Sequence, residues 1–305
     1  MFVRVLGSAA GGGFPQWNCG CKNCVGVRSG KVRALPRTQE SVAVSADGEQ
    51  WFLLNASPEV RQQIESFKGL HPRSLRNTPI AGVLLTNGDL DHCLGLLSLR
   101  ESQRLVVYAT ERVRRGFVDG NVFYRTLERF EGQVSWHRLR FGVREPLLGV
   151  DNKPSGLTVA AFSLPGKPPL HARDASRDLE DNVGLSIADE RTSGVLAYLP
   201  GVAGPGQSVT DAVVGATAVF FDGTFWSSEE LVELGVGERR AEDMAHWPLS
   251  GADGSLEFLR KLPAKRRVLI HINNTNPILR EDSAEREVVR AFDVEVAHDG
   301  MELSL

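Results

Sequence analysis

Short apolar runs closed by turn residues dominate the first two thirds of the chain, and several alternate with the period of two that marks a strand. Phe2–Leu6 alternates in this way and runs into Gly7-Ser-Ala-Ala-Gly-Gly-Gly-Phe-Pro15, which is loop chemistry. Ser41–Ala46 and Trp51–Leu54 flank Asp47-Gly48, a hairpin signal, and Ser57-Pro58-Glu59 then opens a short helix with serine as its cap. Ala81–Thr86 is apolar throughout, as a strand covered on both faces would be, and polar Asn87-Gly88-Asp89 ends it. The apolar spacing in Leu90–Leu97 predicts a helix directly afterwards.

Further strands are expected at Leu105–Tyr108, Leu157–Leu164, Val183–Ala188, Gly194–Leu199, Thr217–Asp222 and Arg267–Ile272. Helices are expected at Thr110–Phe117, Val122–Phe130, Ser228–Leu234, Ser255–Leu262 and Ser283–Phe292, and Pro200–Gly206 reads as an irregular surface loop. Strands prevail early and alternate with helices later, with no repeat and no composition shift. The pattern predicts an α/β protein in which two sheets pack between helices, 1–305 forming one domain.

Composition narrows the function classes. With 42% apolar residues the 305-residue chain can bury a substantial core, and a net charge of −3 gives no basic field for nucleic acid. No apolar run approaches the ~18 residues of a membrane span, and the N-terminus has no signal-peptide pattern. Of four cysteines, three lie within six residues, which points to metal binding in a reducing cytoplasm and not to disulfides.

Cys19-Gly-Cys21-Lys-Asn-Cys24 places three thiols on one loop, a set that suits tetrahedral zinc completed by one more ligand. His271, His298 and Asn274 are remote candidates for that ligand, and a redox-active cluster is the alternative. Cys93 reads as a small buried apolar residue. Thr86-Asn87-Gly88-Asp89-Leu90-Asp91-His92 crowds polar groups at a strand end, costly in a core unless they bind something, although capping alone also favours aspartate there. His271 ends another apolar strand. Alone it is more often structural, but with Asp91 and His92 it makes two imidazoles and one carboxylate, the set that suits a non-haem Fe(II) with open positions for O2 and substrate. Asp222 at a strand end and His246 in a loop are either further ligands and proton-transfer groups or a helix cap and a surface imidazole. His71, His137 and His171 have no suitable partners nearby and read as structural or surface residues.

The segment from Gly7-Ser8 through Pro15-x-Trp17-Asn18 to the cysteines, Asp91-His92, Asp222-Gly-Thr-Phe-Trp226, His246-Trp-Pro-Leu-Ser-Gly251, His271-Ile-Asn-Asn-Thr-Asn-Pro277 and Val296-x-x-Asp299-Gly-Met-Glu302 together carry a resemblance. Over essentially the whole chain they resemble the branch of the metallo-β-lactamase superfamily that serves synthesis of the cofactor pyrroloquinoline quinone (PQQ). The resemblance implies a metallo-β-lactamase-like αββα sandwich with Zn at the cysteine loop and Fe(II) at Asp91, His92 and His271. The superfamily's hydrolytic signature His-x-His-x-Asp-His is broken here, its first two histidines being Asn87 and Asp89. The remaining histidine of that metal position falls near Lys167 and the bridging aspartate near Pro200. Loss of a bridged metal pair disfavours hydrolysis.

The activity implied is instead iron- and O2-dependent hydroxylation of the tyrosine ring in a small cross-linked Glu–Tyr amino acid. His246 would accept the phenol proton, and Asp222 or Asp89 would be an extra ligand or would orient an imidazole. A non-catalytic carrier of PQQ and a metal-dependent hydrolase are the competing readings. A homodimer and contact with other enzymes of the pathway are open expectations.

Overall fold

The computed structural model of the chain describes residues 1–149, 151–172 and 176–305. Its strands are β1 (Phe2–Gly7), β2 (Ser41–Ser45), β3 (Trp51–Leu54), β4 (Ile80–Leu84), β5 (Leu105–Ala109), β6 (Val134–Arg138), β7 (Arg144–Leu148), β8 (Pro154–Ser163), β9 (Val183–Asp189), β10 (Val195–Leu199), β11 (Ala218–Asp222), β12 (Arg266–Ile270), β13 (Glu295–Val296) and β14 (Glu302–Ser304). They form two seven-stranded sheets, in the orders β14-β1-β2-β3-β4-β5-β6 and β13-β12-β11-β10-β9-β8-β7. The helices are α1 (Lys22–Arg28), α2 (Val60–Glu65), α3 (Leu90–Cys93), α4 (Glu111–Val118), α5 (Gln207–Val213), α6 (Glu230–Glu233), α7 (Ser255–Leu259) and α8 (Ala284–Ala291).

Alternation along the strands builds the layers. Val42, Val44, Phe52 and Leu54 of the first sheet bury against Leu185, Tyr198, Phe220 and Ile270 of the second in one central cluster. The residues between them point outward: Ala43, Leu53, Val83 and Val107 lie under Val60, Val113 and Phe117 of α2 and α4. On the other side Leu199, Val219, Phe221 and Leu269 lie under α5, α7 and α8. This is the expected αββα sandwich. No described helix is long and apolar enough to cross a membrane.

Several local expectations change. β6 and β7 escape an apolar-pattern reading because they are edge strands of mixed polarity, and β7 carries Pro146, which only an edge or a bulge tolerates. Ser57 is not a helix cap: Pro58 and Glu59 form a turn closed by Val60 N–H donating to Ser57 O at 3.0 Å, and the helix starts at Val60. The Leu90–Leu97 helix is a single α turn followed by a 3-10 segment, Leu94–Leu99, and Val122–Phe130 shrinks to a 3-10 segment, Val122–Leu127. Cys24 lies inside the unexpected helix α1, not on a loop. Pro200, Gly201 and Val202 are buried, so the supposed surface loop is partly core.

The parallel pairs β3–β4 and β11–β12 decide where chemistry can collect. Leu54 registers with Leu84, and Asp222 with Ile270, so the residues that follow these strands emerge at shared carboxyl ends. Asn55, Thr86, Asp91 and His92 come from the first sheet, and Asp222, Thr224 and His271 from the second. Gly95 permits this arrangement. Its N–H donates to Ala56 O at 2.9 Å, and a Cβ there would stand 2.2 Å from Ser57 O. Gly95→Ala is therefore expected to cost about 1–3 kcal/mol, read as a lower denaturation midpoint. An unchanged midpoint would show that the segment carrying Asp91 does not rest on this contact.

Candidate metal centres

Asp91 and His92 sit in the single turn of α3, and His271 follows β12 with φ of 57°, a left-handed conformation uncommon for a residue other than glycine. Its ring Nδ1 lies 2.8 Å from Thr224 Oγ1, which helps hold the conformation. Asp91 Oδ2 lies 3.1 Å from His271 Nε2 and 3.6 Å from His92 Nε2, and one donor atom from each of the three residues falls within 4.8 Å of the others.

The neighbouring hydrogen bonds select the tautomers. Thr224 has one hydroxyl proton, and the charge-assisted bond to Asp222 Oδ1 at 2.6 Å takes it. His271 Nδ1, 2.8 Å from the same oxygen, is then the donor, which leaves Nε2 aimed at Asp91. On the opposite sheet Thr86 Oγ1 donates to Asn55 Oδ1 at 3.1 Å and accepts from His92 Nδ1 at 3.0 Å. Both imidazoles thus turn their Nε2 atoms toward one carboxylate oxygen. Two imidazoles and a carboxylate converging in this way fit a divalent first-row cation, with the Nδ1 atoms anchored as such sites require.

Charge in the site follows from burial. Desolvation would raise the Asp91 carboxyl, but the two histidines outweigh it and hold the group well below the usual carboxylate range. Burial pushes His92 down to about 4, so it is neutral at pH 7. Burial also acts to lower His271, yet the bond to Asp91 and the charges of Asp91 and Asp222 carry it up to about 9. Glu40, fully buried, is pushed up to about 8 by desolvation, and its Oε2 accepts from Asn55 Nδ2 at 2.9 Å.

Asp222 is wholly buried and serves four donors: Val202 N–H at 2.9 Å and His246 Nδ1 at 2.7 Å on Oδ2, Thr224 N–H at 3.0 Å and Thr224 Oγ1 on Oδ1. With His246 and His271 it forms a second group of donor atoms within 4.8 Å. Its oxygens are already saturated, however, so its geometry is that of a residue that orients His246 directly and His271 through Thr224. The His246 and His271 rings stack at 5.4 Å.

At the other centre Cys19, Cys21 and Cys24 bring their sulfurs within 4.8 Å of one another. The side-chain amide of Asn274 lies over all three, at 3.1, 3.7 and 3.3 Å. Asn23 Nδ2 donates to the carbonyls of Asn274, Thr275 and Asn276, fastening that loop to α1. Burial and the neighbouring sulfurs push Cys21 up to about 12, while bonds from Cys21, Cys24 and Asn274 outweigh burial and lower Cys19. Three thiols at this spacing fit a soft tetrahedral cation. Of the remote candidates, Asn274 is the one the fold delivers; His271 belongs to the other centre and His298 is exposed.

The Beta-lactamase superfamily domain family matches residues 50–272. Coenzyme PQQ synthesis protein B of Ectopseudomonas mendocina is 44% identical and that of Azotobacter vinelandii 43%, each comparison covering 100% of both chains. The chain belongs to the coenzyme PQQ synthesis protein B family. The crystal structure of Zn(2+)-bound PqqB from Methylobacterium extorquens superimposes with a TM-score of 0.92 at 43% identity, covering 100% of both chains. A diphosphatase of the PhnP family shares the fold, with a TM-score of 0.68 at 22% identity over 100% of this chain and 97% of its own.

Within this family frame, Asp91, His92 and His271 come together as expected, as do the three cysteines, and Asp222 with His246 joins them through His271. Asp89 does not. It occupies the position before α3 with extended backbone and no side-chain cap bond, and it falls outside every three-donor group among the described residues. Asn87 spends its Oδ1 on Asp89 N–H at 2.9 Å. Cys93 is buried, with its Sγ 3.4 Å from Gly88 O. His71 and His171 lie at the surface, and His137 in β6 packs beside Tyr108 at 5.0 Å. Sequence reasoning passed over Asn55, Glu40 and Thr224. Thr224 follows a singled-out aspartate by two positions, and Asn55 directly follows an apolar strand, signals that could have found them.

Two outcomes follow. Cys21→Ser is expected to lower the melting temperature by roughly 10 °C in protein purified with metal, because binding energy at a structural site is folding energy; a melting curve unmoved by the change would discard the structural site. The raised value of His271 stabilises the metal-free fold below the ordinary imidazole value of 6.5, and that contribution is lost as pH climbs through about 9. A cation entering the Asp91 centre must expel that proton, so its affinity should rise about tenfold per pH unit over this window. Calorimetry in two buffers of different ionisation enthalpy, with the thiol centre already filled, would show one proton released; none would refute the His271 assignment.

Proposed function

We propose that this chain is a mononuclear non-haem iron hydroxylase within PQQ synthesis, acting on the tyrosine ring of a small cross-linked Glu–Tyr amino acid. The role in coenzyme PQQ synthesis comes with the family. The finer reading rests on one observation: two imidazole Nε2 atoms and one carboxylate oxygen converge where the two sheets meet, and among the described residues Asp89 belongs to no three-donor group. Hydrolysis by a bridged metal pair lacks its ligands on the β4 side.

Iron(II) held by Asp91, His92 and His271 would supply the O2 chemistry; insertion of one oxygen atom into an aromatic C–H bond consumes two further electrons and two protons, drawn from an external two-electron reductant. The chain's own residues supply the rest. Thr86, held in turn by Asn55, fixes His92, and Asp222 acting through Thr224 fixes His271, so neither ring has to reorganise during turnover. His246 donates its Nδ1–H to Asp222, which leaves Nε2 as the basic atom, and its side chain is 15% exposed at the site edge. It is the residue placed to accept the phenol proton, and the Asp222 carboxylate would stabilise the imidazolium that results. Zinc at Cys19, Cys21 and Cys24 would fasten α1 to the loop that follows His271.

The test loads the zinc-containing protein with Fe(II) without oxygen, adds the cross-linked amino acid and a reductant, admits 18O2 and follows the product by mass spectrometry. Incorporation of labelled oxygen into the ring is expected, and His92→Ala should abolish it while preserving the fold and thiol-bound zinc. Tight binding of PQQ with no incorporation would favour a carrier and overturn the hydroxylase reading.

A further inference from the structure

The segment after β8 lies across the end of β4 and is pinned on both sides. Leu164 N–H donates to Asn182 O at 3.0 Å, Ala203 N–H donates to Pro165 O at 3.0 Å, and a Cβ on Gly88 would meet Pro169 Cγ at 3.3 Å. Lys167 is therefore held, half-buried, beside the strip that carries Asp89 and Asp91. Its Nζ makes one hydrogen bond among the described residues, to Asp243 O at 3.2 Å, although an ammonium has three protons to give. Asp243 Oδ2 in turn accepts from Arg240 N–H at 3.1 Å, which fastens the segment bearing Arg239 to the same spot.

Burial depresses Lys167 first, Asp89 opposes this, and Arg239 and Arg177 stand close enough to add to the depression. Both arginines are exposed, and neither has a carboxylate within 4.0 Å among the described residues. Asp89 offsets part of this positive charge, and the N–H donors of Lys167 that Asp243 O does not take stay available to an oxyanion. Lys167 thus lies between the turn that leads to Asp91 and the segment that leads to His246, whose side chains are 16% and 15% exposed.

We propose that Lys167, Arg177 and Arg239 form an anion-binding rim that takes the carboxylates of the substrate and so turns its ring toward His246 and the Asp91 centre. The identity of the substrate rests on the function proposed above; the rim itself does not. Lys167 is the inner member, able to offer two unspent N–H donors, and the exposed guanidiniums are the outer ones. The shared chemistry with phosphate is recognition of an oxyanion, and the reading commits to carboxylate.

The test measures binding to protein carrying Zn(II) at both centres, which is redox-inert, using the cross-linked Glu–Tyr amino acid, its fully amidated analogue and inorganic phosphate. Lys167→Met is expected to weaken binding of the acid roughly tenfold and to leave the amide unchanged, with Lys167→Arg recovering most of the loss. Arg239→Gln, at an exposed position, should act in the same direction, and the salt dependence should shrink in both variants. Equal losses for acid and amide, unaltered affinity in both variants, or a wild-type preference for phosphate would each overturn the rim. Binding and catalysis fail separately. Acid-selective losses without 18O incorporation by the iron protein would keep the rim and sink the hydroxylase, whereas incorporation with unchanged KM in Lys167→Met would do the reverse.

Discussion

The contact between Asp91 Oδ2 and His271 Nε2 ties the end of one sheet to the end of the other, and at 3.1 Å it joins charges that burial would otherwise make very costly. Each partner is fixed from behind by its own sheet. His271 leans on Thr224 and Asp222, and the turn carrying Asp91 leans on Ala56 through Gly95. An ion replacing the His271 proton would keep the same geometry and exchange one positive charge for two. The hydrogen bonds behind Asp91 and His271 thus hold their side chains in place from both sheets.

That anchoring explains why so many carboxyl groups can collect at one end of the sandwich. Asp91 is ionised against two histidines, Asp222 against His246 and three further donors, and Glu40 is neutral at pH 7 because burial leaves it no other course. Neutral Glu40 sets no second negative charge behind His92. The hydrogen bonds between Glu40, Asn55, Thr86 and His92 therefore orient an imidazole without making it more basic, consistent with His92 staying uncharged.

The layers were legible in the sequence because the central strands are apolar runs of strand length: Ala81–Thr86, Thr217–Asp222 and Arg267–Ile272 each lie within a few residues of β4, β11 and β12. The edges were not, since β6 and β7 owe their place to backbone pairing and carry no apolar period of their own. At the site, ligand types and strand ends pointed to Asp91, His92 and His271. What the sequence could not convey is which residue stands behind which. Asn55 holds Thr86, the residue bonded to His92, across 31 positions and Thr224 reaches His271 across 47, and no local spacing encodes such a pair. Asp89, expected as a ligand or as a residue behind one, stands at the start of the α3 turn within the electrostatic reach of Asp91, His271 and His246.

The same residue shows how a scaffold accommodates a lost metal position. An aspartate where the superfamily pattern has a histidine brings a charge into a place from which a cation has been removed, and an uncompensated carboxylate there would repel both Asp91 and an anionic substrate. Burial and Asp91 raise the Asp89 carboxyl, and the positive charge nearest to opposing that rise, outside the histidines, is Lys167. A lysine is a weaker and more mobile charge than a divalent ion, and it activates no water. Its charge offsets that of Asp89, so the carboxylate is balanced by a side chain from the segment that crosses the end of β4.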